Sequence, residues 1–203
     1  CALLDLSEEY GIVATAADIA GLQRWHLLDV RLDDLCQRRM YVLSPIRSFV
    51  TSEAELTDPA GAEKLRAIVV RNLAIQATVL DACLVEEGNV VGGLFRYWQE
   101  FPNFAHAFDM AAERFEQSSQ YGEWVIAFAH SLMVYCFTHA LFHRGCEIME
   151  AGATAAIKRA DSVTASHILL QCVILGVRAH RQTVVANAVE RLRGLAAECK
   201  ESV

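Results

Sequence analysis

The sequence predicts an all-α protein, with at most one short strand or hairpin near its N-terminus and stacked helices after it. Three observations carry this. From about residue 60 onward, long segments rich in Ala, Leu, Val, Glu and Arg place their apolar residues at helical spacing. There are only three prolines, and each stands where a helix can begin. One run alone reads as a strand, Met40-Tyr41-Val42-Leu43, just after Arg38-Arg39.

Taken in order, Ala14 to Leu22 reads as a short helix, and the segment from His26 to Cys36 as a second. The strand RRMYVLS then runs into a helix opening at Pro45 (PIRSFV). Ser44-Pro45 and Asp58-Pro59 each pair an N-cap residue with proline at the first helical position, where its missing N–H costs nothing. Leu65, Ile68, Val69, Leu73, Ile75, Val79 and Leu80 make the apolar stripe of a helix that reaches about Leu84, and Glu86-Glu87-Gly88-Asn89 ends it. Helices follow at about 91–100, 103–118, 122–140, 144–160, 163–179 and 183–200. Pro102-Asn103 opens the second of these, and joints fall at Ser118-Ser119, near His143-Arg144-Gly145, at Ala160-Asp161-Ser162 and at Arg181-Gln182-Thr183.

The last two helix pairs read as repeats. A shift of 37 residues superposes Leu132-Met133 on Leu169-Leu170, Cys136-Phe137 on Val173-Ile174, His143-Arg144 on His180-Arg181, and Ala151 on Ala188. A helical hairpin recurring at this length, with a small residue of its second helix facing the first, is the footprint of a TPR-like α-α superhelix. The predicted division is 1–50 for a small N-terminal module, 51–90 for a connecting helix region and 91–203 for the repeats.

Composition narrows the function. With 54% hydrophobic and 21% charged residues, the chain is too apolar for a disordered tail. Seven cysteines, an odd number without a CxxC pair, point away from a disulfide scaffold and toward a reducing, cytoplasmic setting. Residue 1 is Cys rather than Met and no signal-peptide pattern follows, so the sequence reads as a piece of a longer chain. The net charge is −7, and no segment holds a basic block fit for phosphate, so nucleic acid is not an expected partner. Two stretches, 124–142 and 162–177, contain no Asp, Glu, Lys or Arg. The first is long enough to span a bilayer, but both carry His, Ser or Thr and neither has a basic collar. Both are expected instead to be first helices of stacked hairpins, buried on both sides by their neighbours.

Candidate chemistry is sparse. Cys136, His139, His143 and Cys146 are spaced 3, 4 and 3 apart on one helical stripe, and His139 with His143 suits zinc chelation. Ten residues of helix rise about 15 Å, whereas ligands of one zinc ion lie within about 4 Å of each other. Only a bend at Gly145 would gather the four, and a packed core stripe is the plainer reading. His143 and Cys146 as a nucleophile pair lack an orienting third residue. Asp109, Glu113 and Glu116 read as a solvated acidic ridge with Arg114 close by, and Trp25, Trp98 and Trp124 as packing anchors. GNVVGG (Gly88 to Gly93) has neither Lys nor Ser/Thr and is no P-loop; HExxH and GxSxG are absent from the sequence. No catalytic, cofactor-binding or metal-binding residue is assigned, and no cofactor.

The helix, helix, strand and helix order of residues 12–50, with Tyr41, Leu43, Pro45, Arg47 and Phe49, resembles the end of the winged-helix module of STAND-type NTPases, the NB-ARC and NACHT signalling ATPases. There Tyr-x-Leu-x-Pro/His-x-x-Arg-x-Tyr/Phe marks the wing and the helix after it; here Arg47 stands one place early. Glu100-Phe101-Pro102-Asn103-Phe104-Ala105-His106-Ala107-Phe108 is similar to the motif that opens the TPR array in many members, with Asn103 placed to cap a helix and Phe104, Ala107 and Phe108 forming its buried stripe. The resemblance implies a regulatory, non-catalytic region. Its winged helix relays the state of an upstream nucleotide-binding domain, and its array binds a protein or peptide. The family's nucleotide-binding residues lie upstream of this module, so none maps here. Asp29, Asp33 and Asp34 against Arg31 alone argue that the winged helix does not read DNA. The rival expectations are a stand-alone helical-repeat scaffold, a metal or thiol enzyme using His139, His143 and Cys146, and a membrane-embedded hairpin.

Overall fold

The computed structural model describes residues 16–25, 28–32, 38–42, 52–53, 56–86 and 90–201. Its elements follow in the order α1 (Ala16–Arg24), β1 (Leu28–Leu32), β2 (Arg38–Val42), α2 (Pro59–Glu86), α3 (Val90–Ala112), α4 (Ser119–Thr138), α5 (Phe142–Lys158), α6 (Ser162–Arg178) and α7 (Gln182–Glu201). Among the described residues the fold is helical apart from one hairpin, and the chain divides into two compact units, Cys1–Val69 and Val70–Val203, the division falling within the sequence of α2.

In the first unit the expected second helix is absent. Leu28–Leu32 is a strand, paired antiparallel with Arg38–Val42 so that Leu28 faces Val42, Val30 faces Met40 and Leu32 faces Arg38. Leu28, Val30 and Leu32 alternate with Asp29 and Arg31, the period of a strand, while Leu28, Leu32 and Leu35 also satisfy a helical period. The neighbouring strand resolves the ambiguity by supplying ladder partners. The Ser44-Pro45 cap and the PIRSFV helix, with Arg47 and Phe49, lie outside the described residues. Trp25 is 75% exposed and anchors no packing there.

The cap of α2 is as the sequence reads: Gly61 N–H donates to Asp58 Oδ1 at 2.9 Å, with Pro59 at the first helical position. Among the described residues, Pro59–Leu84 is the helix long and apolar enough to cross a membrane, with mean hydropathy 1.5 in its most apolar window. The charge-free stretch 124–142 is not; it ends in the joint after α4.

In the second unit α3 runs unbroken through Pro102, where a new helix was expected to start. Proline inside a helix costs about 3 kcal/mol, and side-chain packing on both sides of it opposes a break. Tyr97, Phe104 and Ala107 are fully buried, and Phe101 stacks on Tyr135 with centroids 4.7 Å apart. The apolar stripe Phe104, Ala107, Phe108 is buried as read, but Asn103 caps nothing; its amide donates to Glu100 within the helix.

Helices α4 to α6 repeat their buried positions every 20 residues. Val125, Phe128, Ala129, Leu132, Tyr135 and Cys136 are buried on α4. Their equivalents 20 residues on, Gly145, Ile148, Met149, Gly152, Ala155 and Ala156, are all buried on α5. Another 20 on, Ala165, Ile168, Leu169, Cys172, Leu175 and Gly176 are buried on α6. The joints keep the same beat: Ala140, Ala160 and His180 have φ of 56°, 57° and 54°. Each closes a Schellman turn, in which the N–H groups of Leu141, Asp161 and Arg181 donate to the carbonyls of Cys136, Ala156 and Gly176 at 2.8, 3.0 and 2.9 Å. Such short joints make packed neighbours antiparallel. One structural hairpin therefore spans 40 residues, and the 37-residue alignment is overturned: His180 sits in a joint, equivalent to Ala140, whereas His143 lies in the first turn of α5.

The helix between the other two is thin. A Cβ added to Gly152 would lie 2.4 Å from the Ala129 Cβ, and one added to Gly145 would lie 2.8 Å from Leu175 Cδ1 and 3.1 Å from the Cys136 Cβ. Small residues on α5 thus let both α4 and α6 approach it closely.

Candidate functional site

The Cys136, His139, His143, Cys146 stripe does not survive the turn at Ala140. Cys136 is buried on α4 and Cys146 is buried on α5, whereas His139 and His143 are exposed. His139 stacks flat on Tyr135, with centroids 4.0 Å apart. The joint bends the chain at Ala140, five residues before Gly145, where no breaker is written in the sequence. Among the described residues no group of three or more His, Cys, Asp or Glu is placed to hold a metal ion. The structure instead brings Cys146 close enough to both Cys136 and Cys172 to influence their ionisation. Burial pushes the thiols of Cys136 and Cys172 up to about 12, and raises that of Cys146 as well. All three are protonated near neutral pH, the unreactive state of a core cysteine.

The acidic ridge of α3 is not simply solvated. Asp109 pairs with Arg144 of α5, which also reaches Glu147, and Glu116 pairs with Lys158 at 2.6 Å. Arg191 of α7 donates to Thr154 of α5 at 3.1 Å. Charged and polar side chains therefore stitch α3, α5 and α7 together along one side. Inside, Tyr97 is fully buried, its hydroxyl within 2.7 Å of the Ala77 carbonyl and 2.8 Å of the Ser131 carbonyl, joining α2, α3 and α4. Burial, with Asp81 and Cys136 nearby, holds that phenol protonated.

The other side is different. Val134 and Phe137 on α4 and Leu170, Ile174 and Val177 on α6 are exposed, by 36% to 59%. The two charge-free stretches are therefore buried on one side only, contrary to the expectation that neighbours cover both. Two contacts show that the outward faces of α4 and α6 adjoin. His130 stacks on His167 with centroids 5.4 Å apart, and the Arg178 guanidinium lies 5.7 Å from the centre of the Phe137 ring. On α2, Thr78 accepts a hydrogen bond from Ser131 Oγ at 3.3 Å, and its neighbours Ile75 and Val79 are exposed as well. No exposed large hydrophobic side chain of this kind occurs on α5 or α7 among the described residues.

Comparison with protein-family models, with curated proteins and with solved structures finds no match. The chemistry of the face must be read from its own residues. Its carboxylate, Glu123 near the start of α4, is paired with Arg159 at 2.8 Å; one cation stands at the C-terminal end, and apolar side chains are interleaved with His130, His167 and Gln171. Such a surface binds by exclusion of water, with a few polar groups to orient what it binds. One signal in the sequence pointed to it: Val163, His167, Leu170, Ile174 and Val177 are spaced 4, 3, 4 and 3 apart on α6, as a second stripe beside the buried one. Trp98, 53% exposed, is likewise no core anchor, whereas Trp124 is buried.

Proposed function

We propose that the chain is a non-catalytic, partner-binding region, its TPR-like array holding a protein or peptide in the cytoplasm. The observation that carries this is the largely apolar outward face of α4 and α6 beside an opposite side crossed by the Arg144–Asp109 and Lys158–Glu116 ion pairs. The array is tied, in this reading, to an upstream nucleotide-binding domain of a STAND-like signalling NTPase. Support for that tie comes from Tyr41, Leu43 and Pro45, from EFPNFAHAF and, for a winged helix, from the β1–β2 hairpin. Partner binding would then act by shifting the equilibrium between two dockings of the array on the ATPase core. The chain's net charge of −7 supports leaving nucleic acid and anionic membranes out of the partner list.

Reading the gene upstream of Cys1 tests the tie. A Gly-x4-Gly-Lys-Ser/Thr loop within about 350 residues is the expected result; its absence removes the NTPase connection. The array would then stand as a scaffold in its own right, a reading favoured by the compactness of Val70–Val203 by itself. An enzyme built on His139, His143 and Cys146 finds no support, because both imidazoles are exposed while the thiol is buried and protonated.

A further inference from the structure

We propose that the outward face of α4 and α6 docks an amphipathic helix whose flanks carry acidic side chains. The inference rests on the partner-binding reading and adds to it the place, the occupant and its charge.

Size comes first. The stripe from Val163 to Val177 runs about 21 Å at 1.5 Å per residue, so it matches a partner helix of about 14 residues. Taking the exposed fractions of Val134, Phe137, Leu170, Ile174 and Val177 together, the patch is on the order of 400 Å², a size at which the largest apolar patch of a monomer is commonly a binding site. Parallel ridges on α4 and α6 adjoin through the His130–His167 stack, and an apolar helix face laid along such a surface is a recurrent mode of recognition.

Charge sets the occupant. From 124 to 142 and from 162 to 177 there is no ionisable side chain other than the histidines, Tyr135 and the cysteines. Arg178 therefore stands alone at the end of this face. Among the described residues it pairs with no carboxylate, although Arg66, Arg114, Arg144, Lys158, Arg159 and Arg193 all do. Its guanidinium rests on the exposed Phe137 ring, which holds it in place without neutralising it. An unpaired, oriented guanidinium beside an apolar face is complementary to a carboxylate on the partner. A lipid surface fits less well, because membrane-lying faces are rimmed by several Lys or Arg and this one has a single cation.

A displayed library of random 16-residue peptides, selected on the full chain and depleted against Ile174→Asp, tests this. Ile174 is 48% exposed, and circular dichroism is to check that the variant folds. The expected peptides carry apolar residues at helical spacing with flanking Asp or Glu, and bind Ile174→Asp at least tenfold more weakly. Arg178→Glu lowers their affinity about tenfold, and replacing their acids with Lys restores it on that variant. This second variant keeps the test decisive if the first fails to fold. Peptides indifferent to both substitutions overturn the site while leaving partner binding intact. Enrichment of basic peptides overturns the charge assignment. Sedimentation of the chain with phosphatidylcholine vesicles, abolished by Ile174→Asp, makes lipid the occupant and overturns the helix. Failure to select any peptide overturns both the inference and the reading beneath it.

Discussion

Helix α5 and the two helices that flank it are built on opposite plans. On its inward side α5 presents Gly145, Gly152, Ala153, Ala155 and Ala156, and on its outward side Arg144, Glu147, Glu150 and Lys158. Helices α4 and α6 bury Trp124, Phe128, Leu132, Ile168, Leu169 and Leu175; outside, Glu123 near the start of α4 is paired with Arg159, and no further charge follows until Arg178. The difference separates the side that ion pairs hold together from the side left apolar and exposed. Small residues at Gly145 and Gly152 let α4 and α6 close on the middle helix, which still buries Ile148 and Met149. The charges of α5 meet α3 and the turns after it, where Arg144 pairs with Asp109 and Lys158 with Glu116. What remains on the α4 and α6 side is exposed apolar surface that no other described helix covers.

The sharpest break of this comparison comes from paired truncations on α4. Phe128 is fully buried, edge-on to Phe108 at 6.4 Å, and Phe128→Ala is expected to cost about 3–5 kcal/mol. Val134→Ala, one and a half turns along but 41% exposed, should cost less than about 0.5 kcal/mol. Urea unfolding of both variants measures the contrast; similar midpoints would show that α4 has no inside and outside.

The thinness of α5 gives the next effect. Gly152→Ala puts a methyl group against the Ala129 Cβ, and both atoms are fixed to their backbones, so the helices themselves must part. Overpacking of this kind costs about 1–3 kcal/mol. Gly194→Ala on α7 has open space around its Cβ and should stabilise by about 0.5–1 kcal/mol through helix propensity. Opposite signs for one substitution chemistry, read by thermal unfolding, separate a glycine needed for close approach from one that is not.

How much of this was readable from residues alone depended on which residue carried the signal. The joint before α6 was readable because Asp161 is a cap residue; its side chain accepts from the Thr164 N–H at 3.0 Å. The joint before α5 was placed near Gly145 because glycine breaks helices, yet there glycine is a packing residue and the turn falls at Ala140, which no propensity marks. The 20-residue period was hidden for a related reason. Packing repeats position and not identity, so Phe128, Ile148 and Ile168 are equivalent, as are Leu132, Gly152 and Cys172. Aligning His143-Arg144 with His180-Arg181 followed identity and slipped by three residues. The outward stripe of α6 was present in the spacing, but only the packing of α5 could show which of its two apolar faces is covered.

The joints supply a smaller, stabilising effect. Ala160 holds a φ of 57°, where a Cβ costs about 1 kcal/mol and glycine none. Ala160→Gly is therefore expected to raise stability by roughly that amount, less the extra freedom of the unfolded chain. A loss of stability on urea unfolding would mean that the turn is held by contacts of the methyl group and not by its Schellman hydrogen bonds.

The smallest effect tests whether the α4 and α6 face tolerates charge. Burial lowers the affinity of His130 for a proton, the stacked His167 lowers it further, and Asp161 opposes both. The folded state thus favours the neutral imidazole, while the unfolded chain protonates at the ordinary value of 6.5. The unfolded state binds more protons in the window just below 6.5, so stability is whole above that value and falls as the pH drops through the lowered folded value. Unfolding measured from about pH 7 to about pH 5 should show this slope in the parent chain, and His130→Gln should flatten it. If the slope persists in the glutamine variant, the sensitive group lies elsewhere, and the apolar face is not what makes the array acid-sensitive. If it vanishes, the same desolvation that leaves the face ready for an apolar partner is what disfavours a proton on it.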